Sequence, residues 1–290
     1  MILIRIFQFP YSVNNYQRAY RLIGQGLALS ALSLLLPFFA SAQQFQLGPK
    51  GGVQVAYVKL DDDEQADNFV LQPILSYNAG GVLTFDLTNR IGLQTELTYS
   101  RKGRVTKASD TGLKNRSTYD HLEWSGMFRL NLEAENKELG KFNYHFLFGP
   151  NFSYWLGGKG TLSGGELEIF APVDYKIVFD HTNSSIRELN FTNANRLQLG
   201  FDIGIGAEFI VFKEQRLLVD LRYVVTHSYL SPDIDASSIR LLTYEDYTRA
   251  ANRVIALNVA YTFGIDLIQL RKGKSSYGKK VKIKAKPGKN

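Results

Sequence analysis

Eight stretches between Phe45 and Ile265 alternate apolar with polar residues, and the connections between them run long, short, long, short. Alternation at period two sends successive side chains to opposite faces of a strand, so each stretch has one apolar face and one polar face. An amphipathic helix cannot keep that period over such lengths. The clearest stretch places Leu197, Leu199, Phe201, Ile203, Ile205, Ala207, Phe209 and Val211 against Gln198, Gly200, Asp202, Gly204, Gly206 and Glu208. The same rule sets Leu47, Val53 and Val55 against Gln46, Lys50 and Gln54, and Tyr77, Leu83 and Phe85 against Asn78, Thr84 and Asp86. It sets Leu93, Leu97 and Tyr99 against Gln94, Glu96 and Lys102, and Leu122, Trp124 and Phe128 against Glu123, Ser125 and Arg129. Phe142, Tyr144, Phe146, Phe148, Phe152 and Tyr154 share one parity opposite Asn143, His145, Asn151 and Ser153. In the last two stretches Leu217, Val219, Leu221 and Tyr223 oppose Asp220 and Arg222, and Ile255, Leu257 and Val259 oppose Ala256, Asn258 and Ala260.

A soluble β-sandwich also alternates, but three features favour lipid on the apolar side. The stretches run about 9 to 15 residues, the reach of a tilted strand crossing a bilayer, where strands of globular proteins average about 5 to 6. Their apolar face is rich in aromatics and nearly free of charge. Their polar face is rich in glycine, as the crowded interior of a small barrel requires. The expected fold is therefore all-β: an eight-stranded antiparallel transmembrane β-barrel of the outer-membrane type, with long extracellular loops and short periplasmic turns. An even strand number puts both termini on the side of the short turns, the periplasm. Tyr57, Tyr77, Tyr99 and Tyr154 then fall near the loop ends, and Phe45, Phe85, Phe142, Phe209 and Phe263 near the turn ends. These rings are expected to form the two interfacial girdles. The long connections are residues 61–67, acidic; 104–117, polar; 157–195, whose own alternation points to an extra hairpin beyond the membrane; and 228–252.

The ends read differently from the body. Arg5, Arg18 and Arg21 precede an apolar run over residues 22–39 and then Ala40, Ser41 and Ala42. A basic region, an apolar core and a small-x-small site define a secretory signal peptide over residues 1–42, cleaved after about Ala42. A membrane anchor is the rival reading, but Gly24, Gly26, Ser30, Ser33 and Pro37 interrupt the run. The body is residues 43–266, followed by a basic, disordered periplasmic tail over residues 267–290. Of 34 basic and 27 acidic residues, three basic ones lie in the signal and nine in the tail, with no acid in either. The body keeps 22 basic against 27 acidic residues, a net of about −5, so the overall basicity belongs to the ends and gives nucleic-acid binding little support. With no cysteine in the chain there are no disulfides, thiol nucleophiles or thiolate metal sites.

Four features could carry chemistry. The polar face holds Asp86, Glu96, Glu123, Arg129, Asp202, Glu208, Asp220 and Arg222. An eight-stranded lumen is just wide enough for side chains to fill it, and buried charges must pair, so these are expected to form a polar plug rather than a conduit. Glu96 with Arg129, and Asp220 or Glu208 with Arg222, are the expected partners. A lipid-modifying hydrolase would need Ser, His and an acid. The adjacent His227 and Ser228 point to opposite faces of a strand, which argues against a nucleophile–base pair. The acidic loop 61–67 has carboxylates suited to calcium but lacks the ordered spacing and glycine of a calcium loop, which favours a solvated segment. The tail cations Arg271, Lys272, Lys274, Lys279, Lys280, Lys282, Lys284 and Lys286 suit contact with peptidoglycan, anionic lipid or an acidic envelope protein, or simple solvation. No cofactor is expected, and no catalytic or metal-binding set is assigned.

Gln43, Gln44 and Phe45 follow the cleavage site, and Leu47 through Val53 reads LGPKGGV; the pair resembles the opening strand of the PorT-like outer-membrane barrels of Bacteroidetes. Asn258 through Gly264, NVAYTFG, resembles their closing strand. The resemblance covers the whole body. It implies an eight-stranded barrel inserted by the general assembly machinery and, for some members, a part in type IX secretion and gliding. The basic extension after Phe263 departs from the simplest pattern, in which the last strand ends the chain, and favours a dedicated periplasmic contact. Two non-enzymatic roles follow: an accessory component that binds periplasmic or envelope partners, or a surface module that binds a ligand or partner through the outer loops.

Overall fold

A computed structural model describes residues 44–61, 69–109, 112–136, 140–164, 172–180, 187–212, 215–232, 237–239, 244–245 and 248–264. The signal peptide and the basic tail read from the sequence lie outside these residues. Among the described residues there are strands and no helix: β1 (Gln44–Leu60), β2 (Phe69–Gln72), β3 (Ile74–Asp86), β4 (Ile91–Ala108), β5 (Lys114–Asn136), β6 (Gly140–Ser163), β7 (Val173–Phe179), β8 (Glu188–Phe191), β9 (Leu197–Phe212), β10 (Gln215–Thr226), β11 (Ser237–Ile239), β12 (Tyr244–Glu245) and β13 (Ala250–Gly264).

Eight of these close on themselves in the order β1, β3, β4, β5, β6, β9, β10, β13, every pair antiparallel. The ring is sealed by β1 against β13, where Val53 faces Leu257 and Val55 faces Ile255. Closure satisfies the backbone all round and leaves no edge, the condition for crossing lipid with strands. The parity of each stretch holds in space. Leu47, Val53, Leu97, Phe128, Leu132, Ile205 and Leu257 are exposed on the outer surface, while Gln46, Lys50, Gln54, Glu96, Arg129, Asp202 and Asn258 are buried within. At the turn end Phe45 meets Phe85 edge-on at 4.4 Å and Phe142 stacks on Phe209 at 6.2 Å. At the opposite end Tyr77 lies 6.2 Å from Tyr99, and the Tyr57 and Tyr223 hydroxyls are 3.0 Å apart.

The two ends of the barrel differ sharply. At one, β3 turns into β4 within four residues, where the Thr88 hydroxyl accepts from the N–H groups of Arg90 and Ile91 at 3.3 and 3.0 Å. At the other the wall rises far beyond what a membrane needs. Strands β5 and β6 have 23 and 24 residues, where about 9–11 tilted residues cross the hydrocarbon. This corrects the sequence reading of residues 104–117 as a polar loop. Arg104 pairs with Ser117 and Lys107 with Lys114, so residues 104–107 and 114–117 form a strand pair. Gly103 lets the wall continue: its φ of 157° and the close approach of the Ser117 carbonyl leave no room for a side chain.

Four more strands widen this projecting wall. Strand β7 pairs with the top of β6, β8 runs parallel to β7, β11 pairs with β8 and β12 with β11. The extra hairpin expected within residues 157–195 is thus present as β6 and β7, with Leu167 and Ile169 of that expectation outside the described residues. Strand β2 pairs with the upper part of β4 on the other side.

Candidate functional site

The lumen is crossed by a belt of ion pairs at mid-height. Glu96 on β4 receives the Lys50 ammonium from β1 at 2.5 Å and both terminal nitrogens of Arg222 from β10 at 2.6 and 2.7 Å. A bidentate guanidinium–carboxylate pair is the strongest geometry such groups offer. Arg222 also reaches Asp220 at 3.2 Å, Asp220 accepts from Asn258 at 2.9 Å, and the Asn258 oxygen accepts from Asn78 at 2.9 Å. Asn78 donates in turn to Gln54 at 3.1 Å, and Gln94 donates to Glu96 at 2.7 Å. Gly204 faces this belt because a β-carbon there would lie 2.9 Å from the Arg222 side chain. The belt therefore joins β1, β3, β4, β10 and β13 across the barrel's interior.

A second group lies toward the turns. Arg129 pairs with Glu208; Arg216 bridges Glu208 at 2.6 Å and Asp86 at 3.0 Å. A third group joins Ser125 to Asp202 at 2.8 Å and Asn151 to Ser125 at 2.9 Å. Toward the loops Lys102 meets Glu123 at 2.5 Å. All eight acids and bases read from the sequence as lumenal thus point inward, but not with all the expected partners. Arg129 takes Glu208 instead of Glu96, and Arg222 takes both Glu96 and Asp220, because strand stagger decides which inward residues share a level. Arg216, which the alternation from Leu217 onward leaves out, is the second residue of β10, on the parity of Asp220 and Arg222, and that parity is the signal that identifies it.

Above the polar levels the mouth is filled by an apolar cluster. Trp155, two residues above Ser153 on β6, is fully buried against Phe179 at 4.8 Å, Phe191 at 4.9 Å and Tyr119 at 5.3 Å. Its indole N–H donates to the Gly157 carbonyl at 2.9 Å, satisfying the one polar atom. Val58, Leu60, Leu162, Tyr175, Ile177, Leu189, Leu230 and Ala250 complete the cluster, so inward residues of β1, β5, β6 and β13 pack directly on residues of the projecting strands. The sequence reading passed over Trp155 because it falls where the membrane alternation ends.

The remaining candidates are not drawn together. His227 is exposed and the Ser228 hydroxyl accepts from the Leu199 N–H at 3.0 Å. Asp61 pairs with Arg249 at 2.8 Å, and residues 62–67 of the acidic loop lie outside the described residues, as do the tail cations. Among the described residues no cluster of three or more His, Asp or Glu side chains is placed to hold a metal ion.

A closed ring of eight antiparallel strands, apolar toward its surroundings and ion-paired within, defines a transmembrane β-barrel. The chain belongs to the outer membrane protein beta-barrel domain family, whose model matches residues 40–225, and it is accordingly a protein of the outer membrane. No curated protein matches it in sequence. Among solved structures it is similar to the outer membrane protein OprG from Pseudomonas aeruginosa, at 9% identity over 78% of this chain and 97% of that one, with a TM-score of 0.42. It is also similar to Outer Membrane Protein W of E. coli, at 13% identity over 77% and 99% with a TM-score of 0.35. The attachment invasion locus protein Ail of Yersinia pestis matches at 12% identity over 76% and 100%, with a TM-score of 0.33.

Proposed function

We propose that the protein is a non-enzymatic, non-conducting barrel that acts by binding a partner or ligand at the cell surface, on the platform built by the projecting strands. The packing around Trp155 carries this reading. It ties β7 and β8 to the barrel wall as one apolar core over the mouth, and the belt around Glu96 and Arg222 fills the space beneath. Such an arrangement costs a conduit its opening and gives a binding surface its rigidity. The engagement of the Ser228 hydroxyl by backbone speaks against a lipid-modifying hydrolase at that position. In the same reading residues 1–42 are a signal peptide removed after about Ala42, and the short turns face the periplasm.

A second reading rests on the nine basic residues and no acid after Asp266. Through Arg271, Lys272, Lys274, Lys279, Lys280, Lys282, Lys284 and Lys286 the chain would contact peptidoglycan or an acidic envelope protein as an accessory component. The PorT-like resemblance makes type IX secretion and gliding the process to examine. Removing residues 271–290 separates the two. The surface reading expects unchanged secretion and unchanged complexes from detergent-solubilised outer membrane. Lost secretion or a lost complex, with the platform still folded, transfers the function to the tail.

A further inference from the structure

On the outward side of the projecting wall, residues of β3 to β7, Arg187 and the first residue of β8 line a groove of about 790 Å³. Its cations are Arg101, Arg116, Lys159, Lys176 and Arg187, against the acids Asp174 and Glu188. Asp174 accepts from the Thr161 hydroxyl at 2.6 Å, and Glu188 lies opposite Lys176 in the β7–β8 register, so five cations face two acids across the groove. Arg101 is held by Asp120 at 2.8 Å and lies over the Tyr77 ring at 5.4 Å. Arg116, Lys159, Lys176 and Arg187 are exposed and form no ion pair among the described residues. Lys159 and Lys176 are direct partners across β6 and β7, and like charges so placed repel. The Lys176 N–H donates to the Arg187 carbonyl at 3.0 Å, which brings a third cation to the same spot.

Directly below, the same groove ends in the lipid-facing surface. Leu75 is 74% exposed, and Tyr77 belongs to the loop-side girdle. Unpaired cations immediately above an apolar wall match the chemistry of an amphiphile with phosphate at its headgroup and acyl chains beneath it. We propose that this groove binds a phosphorylated glycolipid of the outer leaflet, its phosphate on Lys159, Lys176 and Arg187 and its chains along Leu75 and Tyr77. Bound lipid removes the repulsion between the two lysines and braces the base of the platform. The inference rests on the extracellular placement of the long connections, which surface labelling tests separately.

The test uses the full chain in detergent, with bisphosphorylated hexa-acyl lipid A and its dephosphorylated form as probes and native mass spectrometry as readout. The variant Lys159→Gln/Lys176→Gln/Arg187→Gln should retain lipid A about tenfold less well than the wild type. A charge-matched control at exposed lysines outside the groove, Lys59→Gln/Lys107→Gln/Lys114→Gln, should stay within about twofold. Heat-modifiable migration verifies that both variants are folded. Equal retention in the two variants overturns the proposal, as does equal retention of the dephosphorylated lipid, or binding of inorganic phosphate without binding of lipid A.

Discussion

Glu96 shows how the interior tolerates charge. Its two oxygens are shared by one guanidinium and one ammonium, and the second acid, Asp220, balances the second cation, so the belt of Lys50, Glu96, Asp220 and Arg222 is neutral. Two unit charges 4 Å apart attract by about 4 kcal/mol at an effective dielectric of 20, but only while both are present. Removing one member leaves the others buried and uncompensated, at about 3–5 kcal/mol. Arg222→Met should therefore lower the unfolding free energy in lipid vesicles, read by urea titration, by about 3 kcal/mol or more. At the second level Arg129→Met should be costly alone, and adding Glu208→Leu should return much of that loss, because Arg216 keeps Asp86. A loss in the double variant equal to the sum of the Arg129→Met and Glu208→Leu losses would show that the pair is not coupled. Inward orientation was legible for all of these residues except Arg216, since parity alone decides it within a strand. Partner choice was not: it depends on stagger between strands far apart in sequence, and Glu96 and Arg129 lie on neighbouring strands at different heights.

At the level of elements, the membrane-crossing parts of the eight barrel strands were readable because lipid forces the outer face to be apolar and the alternation is then unmistakable. Above the membrane that pressure ends. The outward residues of upper β4 and β5 include Lys107, Arg116 and Thr118, the contrast between faces fades, and residues 104–117 look like a loop although 104–107 pair with 114–117. The short β8, β11 and β12 carry too few residues to show any period. What anchors β7 and β8 to the wall is Trp155, which packs on Tyr119 of β5, Phe179 of β7 and Phe191 of β8. Trp155→Ala should cost about 3–5 kcal/mol locally. The expected outcome is rapid proteolysis within the connection between β6 and β9 while the barrel itself stays protease-resistant. Unchanged protection of that connection would mean the cluster does not hold the platform. Gly103→Val is expected to break the pairing of upper β4 with β5, seen as faster amide exchange at residues 104–107, because neither the φ of 157° nor the carbonyl opposite accepts a side chain.

At the scale of the whole barrel, one end of the eight-stranded ring carries the projecting strands and the other carries the β3–β4 turn. Eight strands set a radius that side chains can fill, and here the polar belt and the apolar mouth fill it at two heights. Planar-bilayer recordings of the wild type should show no steady conductance. Lys50→Ala/Glu96→Ala/Arg222→Ala combined with Trp155→Ala should conduct, since it clears both heights together; persistent closure of that variant would place the seal elsewhere. A binding role at the cell surface depends on which end of the barrel meets the outside of the cell. Because the chain lacks cysteine, single cysteines report position without background. Lys107→Cys lies near the tip of the projecting wall and Asn89→Cys in the β3–β4 turn, both exposed. A membrane-impermeant maleimide applied to intact cells should label Lys107→Cys and leave Asn89→Cys unlabelled until the outer membrane is opened. Labelling of Asn89→Cys on intact cells, with Lys107→Cys protected, would contradict the account.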